Sequence, residues 1–165
     1  MEGKTKNGYN ADEVISALQK DIRRCNIEQA CYWAYELLVS AKKFRDKFWE
    51  RMGVICAEDI GMENPQAIAT IEALRKLYYR LDEQKGDSKI VGIFATMFLA
   101  YQRKNRYADH LYHKFKNMKD SDRPKIPDYA LDKHTKRGRE MGRGDEHFNK
   151  IGAVTHEPPK TIPRF

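Results

Sequence analysis

The stretch SALQKDIRRCNIEQACYWAYELL, Ser16 to Leu38, carries two apolar stripes at helical spacing with almost no chain between them. Val14, Ile15, Leu18 and Ile22 recur every three or four residues and share one helix face. Ile27, Ala30, Cys31, Ala34, Leu37 and Leu38 make a second stripe, with Trp33 beside it. Asn26 stands alone where a loop belongs. A connection this short forces the two helices into an antiparallel hairpin, in which each buries its stripe on the other. Asn10 or Asp12 can cap the first helix and Asn26 the second.

The same period continues. Phe44, Phe48, Met52 and Ile55 predict a third helix that ends at Gly61. ENPQAI then restarts the chain, with Asn64 as N-cap and Pro65 at the first helical position. Ile68, Ile71, Leu74, Leu77 and Leu81 form the fourth stripe, and KGDSK, Lys85 to Lys89, is a turn. The fifth helix is apolar on nearly all sides: Ile90, Val91, Ile93, Phe94, Met97, Phe98 and Leu99. Such a helix lies at the centre of a bundle or in an interface between subunits. It is expected to run on, with or without a break near Asn105, through YADHLYHKF. No strand-like alternation competes.

The expected fold is therefore all-α, a bundle of about five or six helices over residues 11–118. A flexible lead-in, 1–10, precedes it. A basic, proline-containing arm, 119–165, follows and packs partly on the bundle. Within that arm ALDKHTKRGREMG can form a short helix ended by Gly142, while THEPPKTIPRF reads as irregular.

Hydrophobic residues make up 41% of the 165, enough for a core, and the formal net charge of +7 favours anionic partners such as nucleic acid. Cys25, Cys31 and Cys56 form no CxxC pair and read as small buried hydrophobes in a reducing compartment. MEGKTKNGYN has no apolar signal region, and the longest apolar run, Ile90 to Ala100, is too short to span a bilayer. A cytoplasmic protein with no membrane partner is expected.

Arg103, Lys104 and Arg106, and further on Lys136, Arg137, Arg139 and Arg143, are the candidate nucleic-acid contacts, since cations meet phosphates. Tyr101, Tyr107, Tyr112 and Phe115 flank and interleave the cations from Arg103 to Lys119 and could stack on bases, but are expected to belong to the core. GREMGRG lacks a GK[ST] and a preceding strand, so it is not a phosphate loop. His110 and His113, with Asp109 nearby, match no zinc spacing. No catalytic, cofactor-binding or metal-ligating residue is assigned, and no cofactor is expected. CAEDIGMENP breaks a local rule: Glu58 and Asp59 sit in the last turn of a helix, where the macrodipole disfavours anions. One carboxylate should pair with Arg23, Arg24 or Arg51, or accept N–H groups from the next helix start.

ISALQKDIRRCNIEQACYWAYELL, CAEDIGMENPQAI and KIPDYALDKHTKRGREMGRGDEHF, in that order and rough spacing, resemble three segments of the RarA/MgsA family of replication-associated recombination AAA+ ATPases. The resemblance covers about Glu13 to Phe148. Ser16, Ala17, Leu18, Lys20, Ile22 and Arg23, with Tyr32 and Trp33, match the first segment. Glu58, Asp59, Ile60, Gly61 and Pro65 match the second. Pro127, Thr135, Lys136, Gly142 and Gly144 match the third. A Lys-Ser-Asn of the family survives only as Lys104 and Asn105, and Tyr-Ala-Leu stands where the family has His-Leu-Arg. The resemblance implies an all-α C-terminal region that assembles tetramers, attached in the family to a DNA-dependent ATPase at stalled replication forks. That ATPase module is not among these 165 residues, so ATP hydrolysis is not expected. The expected function is that of a non-catalytic helical oligomerisation and interaction protein linked to DNA replication, recombination or repair. It is expected to form a homotetramer, with DNA and an AAA+ ATPase or replication protein in trans as candidate partners. The alternative is a sequence-nonspecific nucleic-acid-binding protein that uses its basic C-terminal region. A small enzyme using Glu58, Asp59 or the histidines is a third, weaker reading.

Overall fold

Two helices, α1 (Ala11–Arg23) and α2 (Ile27–Leu38), form the expected hairpin in the computed structural model, which describes residues 2–163. Val14, Leu18, Ile22, Ala30, Ala34 and Leu37 are buried between them and their neighbours. The three-residue turn closes because Cys25 takes a left-handed φ of 60°. Neither Asn10 nor Asn26 caps a helix with its side chain. Asn26 Nδ2 donates instead to Asp21 Oδ1, and Trp33 Nε1 to Asp21 Oδ2, so one carboxylate ties α1 to α2.

The opening residues were expected to be flexible, yet they are held. The Glu36 side chain is fully buried on α2, and a buried carboxylate needs donors. Asn7 supplies two, from its backbone N–H and from Nδ2. An isolated antiparallel bridge between Lys4 and Asn10 closes the turn that carries Asn7.

α3 (Lys42–Ile55) buries Phe44, Phe48, Trp49 and Met52. It does not run as an α-helix to Gly61. The chain widens into one π turn, Cys56–Ile60, and then tightens into a 3-10 turn, Gly61–Glu63. Gly61 has φ +54°, and a Cβ there would stand 2.6 Å from the carbonyl oxygen of Asn105, so both conformation and space demand glycine. α4 (Ala67–Glu83) starts two residues after Pro65, which lies in a turn. Asn64 Oδ1 accepts from the Gln66 N–H, and its Nδ2 reaches Gln102, so its side chain serves a turn and a tertiary contact rather than the predicted helix cap.

α5 (Lys89–Ala100) packs on α2 and α4. It runs antiparallel to α2: Gly92 meets Leu38, and Lys104, just past its end, lies 3.7 Å from the Cys25 sulfur. The chain breaks over residues 101–106 before α6 (Tyr107–Lys116). Of the three cysteines expected to be buried, Cys56 is, and burial pushes its thiol up to about 11. Cys31 is half-buried and Cys25 is exposed on the hairpin turn.

The described residues divide into two units, 2–113 with Pro163, and 114–162. In the smaller unit α7 (Lys136–Glu140) is capped by Thr135, whose Oγ1 accepts from the Gly138 N–H. Gly138 faces the chain at Asp132 so closely that a Cβ would fall 1.9 Å from the Asp132 carbonyl oxygen. Gly142, at φ +74°, turns the chain after the helix as expected. Arg143 then donates to the carbonyls of Asp128 and Leu131 and to the Asp128 carboxylate. α8 (Asp145–His147) runs into a π turn, Phe148–Gly152, beyond which there is no helix among the described residues. Among those residues there is no strand longer than the single bridge, and the fold is all-α.

Two helical glycines should respond oppositely to alanine. At Gly92 a Cβ would lie 2.4 Å from Leu38 Cδ1, and Leu38 is fully buried, whereas Gly53 in α3 has nothing within 4 Å. Gly92→Ala should lower stability by about 1–3 kcal/mol through overpacking. Gly53→Ala should raise it by about 0.5–1 kcal/mol through helix propensity. Urea unfolding followed by circular dichroism measures both.

Candidate functional site

The π turn carries Glu58 and Asp59 into a polar junction. The Asp59 carboxylate is fully buried. Arg23 donates to it through Nε at 2.6 Å and Nη2 at 3.3 Å, and Gln19 through Nε2 at 3.1 Å. Arg106 Nε lies 3.3 Å from Oδ1, an ion contact without hydrogen-bond geometry. The backbone joins in: the Asn105 N–H donates to the Asp59 carbonyl at 2.7 Å. Gln19 also donates to Glu58 and accepts from Arg51 Nη1 at 3.3 Å.

Among the three arginines expected to partner this acid pair, Arg23 meets Asp59. Arg51 reaches the pair only through Gln19, and Arg24 turns back to the Lys20 carbonyl. Gln19 and Arg23 stand one helical turn apart, so α1 presents both to the same point. The expectation missed Gln19 as an amide donor and Arg106 as a second cation. A buried, multiply bonded carboxylate of this kind holds helices together: α1, the end of α3 and the chain after α5 all converge on it.

The seven candidate nucleic-acid contacts fall into two groups. Lys104 Nζ donates to the carbonyls of Leu99, Ala100 and Gln102 and so caps the C-terminus of α5, where a cation meets the negative end of the helix dipole. Burial lowers its amine below the usual lysine range. Arg106 serves Asp59 and Asp109, and Arg143 serves Asp128, whose acid it holds below the usual carboxylate range. These three are turned inward. Arg103, Lys136, Arg137 and Arg139 are exposed. His113 meets Asp109 at 3.4 Å and His134 meets Asp132 at 3.2 Å.

Tyr101, Tyr112 and Phe115, expected in the core, are exposed instead, Tyr101 to 70%. α6 buries none of its residues, so its aromatics have no core to enter. α5 likewise is not buried on all sides. It buries Val91, Gly92, Ala95, Thr96, Leu99 and Ala100 and turns Ile90, Phe94, Met97 and Tyr101 outward. Those four recur at intervals of four, three and four and make one uncharged apolar strip about three turns long.

A bundle of helices locked by a buried aspartate, with one helix face left apolar and open, defines an all-α helical domain. Within that class, the family model described as MgsA AAA+ ATPase C terminal matches residues 25–154, and the chain belongs to this family. Arg23 and Gln19 precede the matched segment, yet they hold the Asp59 that lies inside it. No curated protein matches the chain.

Asp59→Ala leaves Arg23 and Gln19 facing an empty buried site and should cost about 3–5 kcal/mol of stability. Arg24→Ala, which removes only an exposed bond, should change stability by less than about 0.5 kcal/mol. Thermal or urea unfolding of the two variants checks the difference.

Proposed function

We propose that the chain is a non-catalytic helical assembly protein that works beside DNA replication, recombination or repair, and that copies of it meet through the outer face of α5. The observation that carries this reading is the strip of Ile90, Phe94, Met97 and Tyr101, three of them at least 55% exposed. Large apolar patches kept in water mark surfaces that another molecule covers. Burying side chains of this size is worth about 1.5–3 kcal/mol each. The strip carries no charge that association would have to desolvate. It is also straight, so a second copy crossing about a two-fold axis would set each strip on its equal. A homotetramer needs two such contacts, and Met62 and Ile68, exposed around the start of α4, supply a second apolar pair.

Membership of an AAA+ ATPase C-terminal family supports a place beside such an ATPase. The non-catalytic reading is supported by GREMGRG, which ends α7 and turns the chain, and has no Lys-Ser/Thr pair to hold phosphate and Mg²⁺. Light scattering across the micromolar range should give a multimer mass, with a tetramer favoured. Phe94→Asp should reduce it to the monomer while leaving the helical circular dichroism unchanged. A wild-type monomer across the whole range would end this reading.

A further inference from the structure

Between α3 and α4 lies an open notch of about 490 Å³, within the size range of small-molecule sites. Trp49 and Gly53, one turn apart on α3, line it from one side, and Glu72, Arg75 and Tyr79 on α4 line it from the other. Gly53 keeps the space open, since a Cβ there would meet nothing within 4 Å. Trp49 is only 2% exposed, and its indole Nε1 is buried without an acceptor among the described residues. The other tryptophan is satisfied, because Trp33 Nε1 donates to Asp21. Buried donors normally find a partner, so the Trp49 N–H calls for an acceptor that the described chain does not supply.

The charged side chains of the notch are already matched to one another. Arg75 grips Glu72 with two bonds, Nε to Oε2 at 2.8 Å and Nη2 to Oε1 at 2.7 Å. Asp46 accepts from Lys42 Nζ at 2.7 Å and from the Tyr79 hydroxyl at 2.6 Å. Glu50 takes Lys47 at 2.5 Å. Lys42, with Tyr79, holds Asp46 below the usual carboxylate range, and Arg75 does the same for Glu72, so these pairs persist at neutral pH. A cationic ligand would have to displace one of these cations, and an anionic one would face three carboxylates. A neutral ligand displaces nothing. It can still use the rim, since a carboxylate that has taken two donors has lone pairs to spare.

We infer that this notch is a binding site for a small neutral aromatic carboxamide. The carbonyl oxygen of such a molecule is the acceptor that Trp49 Nε1 lacks. Its N–H groups are donors for the Asp46 and Glu50 carboxylates, both on exposed residues. A primary carboxamide carries an acceptor and two donors on one planar group, which is what a buried donor beside a rim of acids requires. The ring adds apolar area against Trp49 and Tyr79, where aromatic pairs gain beyond simple burial. The site uses none of the α5 strip.

Benzamide, benzoate and benzamidine share one shape and differ in charge, so titrating each into the isotope-labelled full chain tests the inference by NMR. The two tryptophans give two indole N–H signals, and Trp33→Phe identifies which belongs to Trp49. Benzamide should shift the Trp49 signal to saturation and leave the Trp33 signal in place. Benzoate and benzamidine should bind at least about tenfold more weakly, because each disturbs the paired charges. Gly53→Leu puts a side chain into the open space and should abolish the shift, with circular dichroism and melting temperature showing an intact fold. If the leucine variant folds poorly, Gly53→Ala makes a smaller intrusion into the same space and should weaken benzamide binding in the same direction. A Trp49 signal that benzamide never moves overturns the inference and leaves that N–H to a water molecule. Benzoate or benzamidine binding as tightly as benzamide overturns it too, as does benzamide binding that survives in a folded Gly53→Leu.

Discussion

Asp59 is a carboxylate with no access to water, and much of the larger unit is arranged to supply it with donors. α1 brings Gln19 and Arg23, the chain after α5 brings Arg106 and the Asn105 N–H, and the π turn brings the aspartate itself. A buried anion left unpaired is far more costly than an apolar mismatch, so these elements are tied to one relative placement. Gly61 belongs to the same constraint. Two residues beyond Asp59 the chain must pass the Asn105 carbonyl at a distance that excludes a side chain.

The consequence reaches α5. Its C-terminal carbonyls are capped by Lys104, and the next residue, Asn105, is bonded to Asp59. At its other flank Gly92 lets the helix settle directly on Leu38. Held at both ends, α5 keeps Leu99 and Ala95 in the core and Phe94 and Met97 in water. The proposed assembly face is therefore a rigid one, presented by the same network that locks the bundle.

Much of this was legible in the chain. The period of apolar residues marked α1 to α5, and the missing loop at Asn26 dictated the hairpin, because both follow from local spacing. The misplaced charge at Glu58 and Asp59 announced a partner, and Arg23 was among three candidates. Choosing between them needs the packing of α1 against the π turn that follows α3, because Arg23 and Asp59 stand 36 positions apart in sequence. The amide of Gln19 gave no charge signal at all. Asn64 and Pro65 have the composition of a helix start, but the Asn64 side chain is spent on Gln66 and Gln102 and the helix begins later. Composition also cannot say which cation folds back: Arg143 and Arg137 look alike in sequence, and only the carbonyls of Asp128 and Leu131 distinguish them. For α5 the all-round apolar pattern was correct, but two faces of one helix share it, and burial divides them.

Hydrogen–deuterium exchange at low and high protein concentration tests the role of α5 most directly. If its outer face is where copies meet, amides over residues 90–101 exchange more slowly as concentration rises, while those of α7 stay unchanged. Exchange over residues 90–101 that is independent of concentration, across a range that includes the highest used for mass measurement, would contradict a self-association face on this helix.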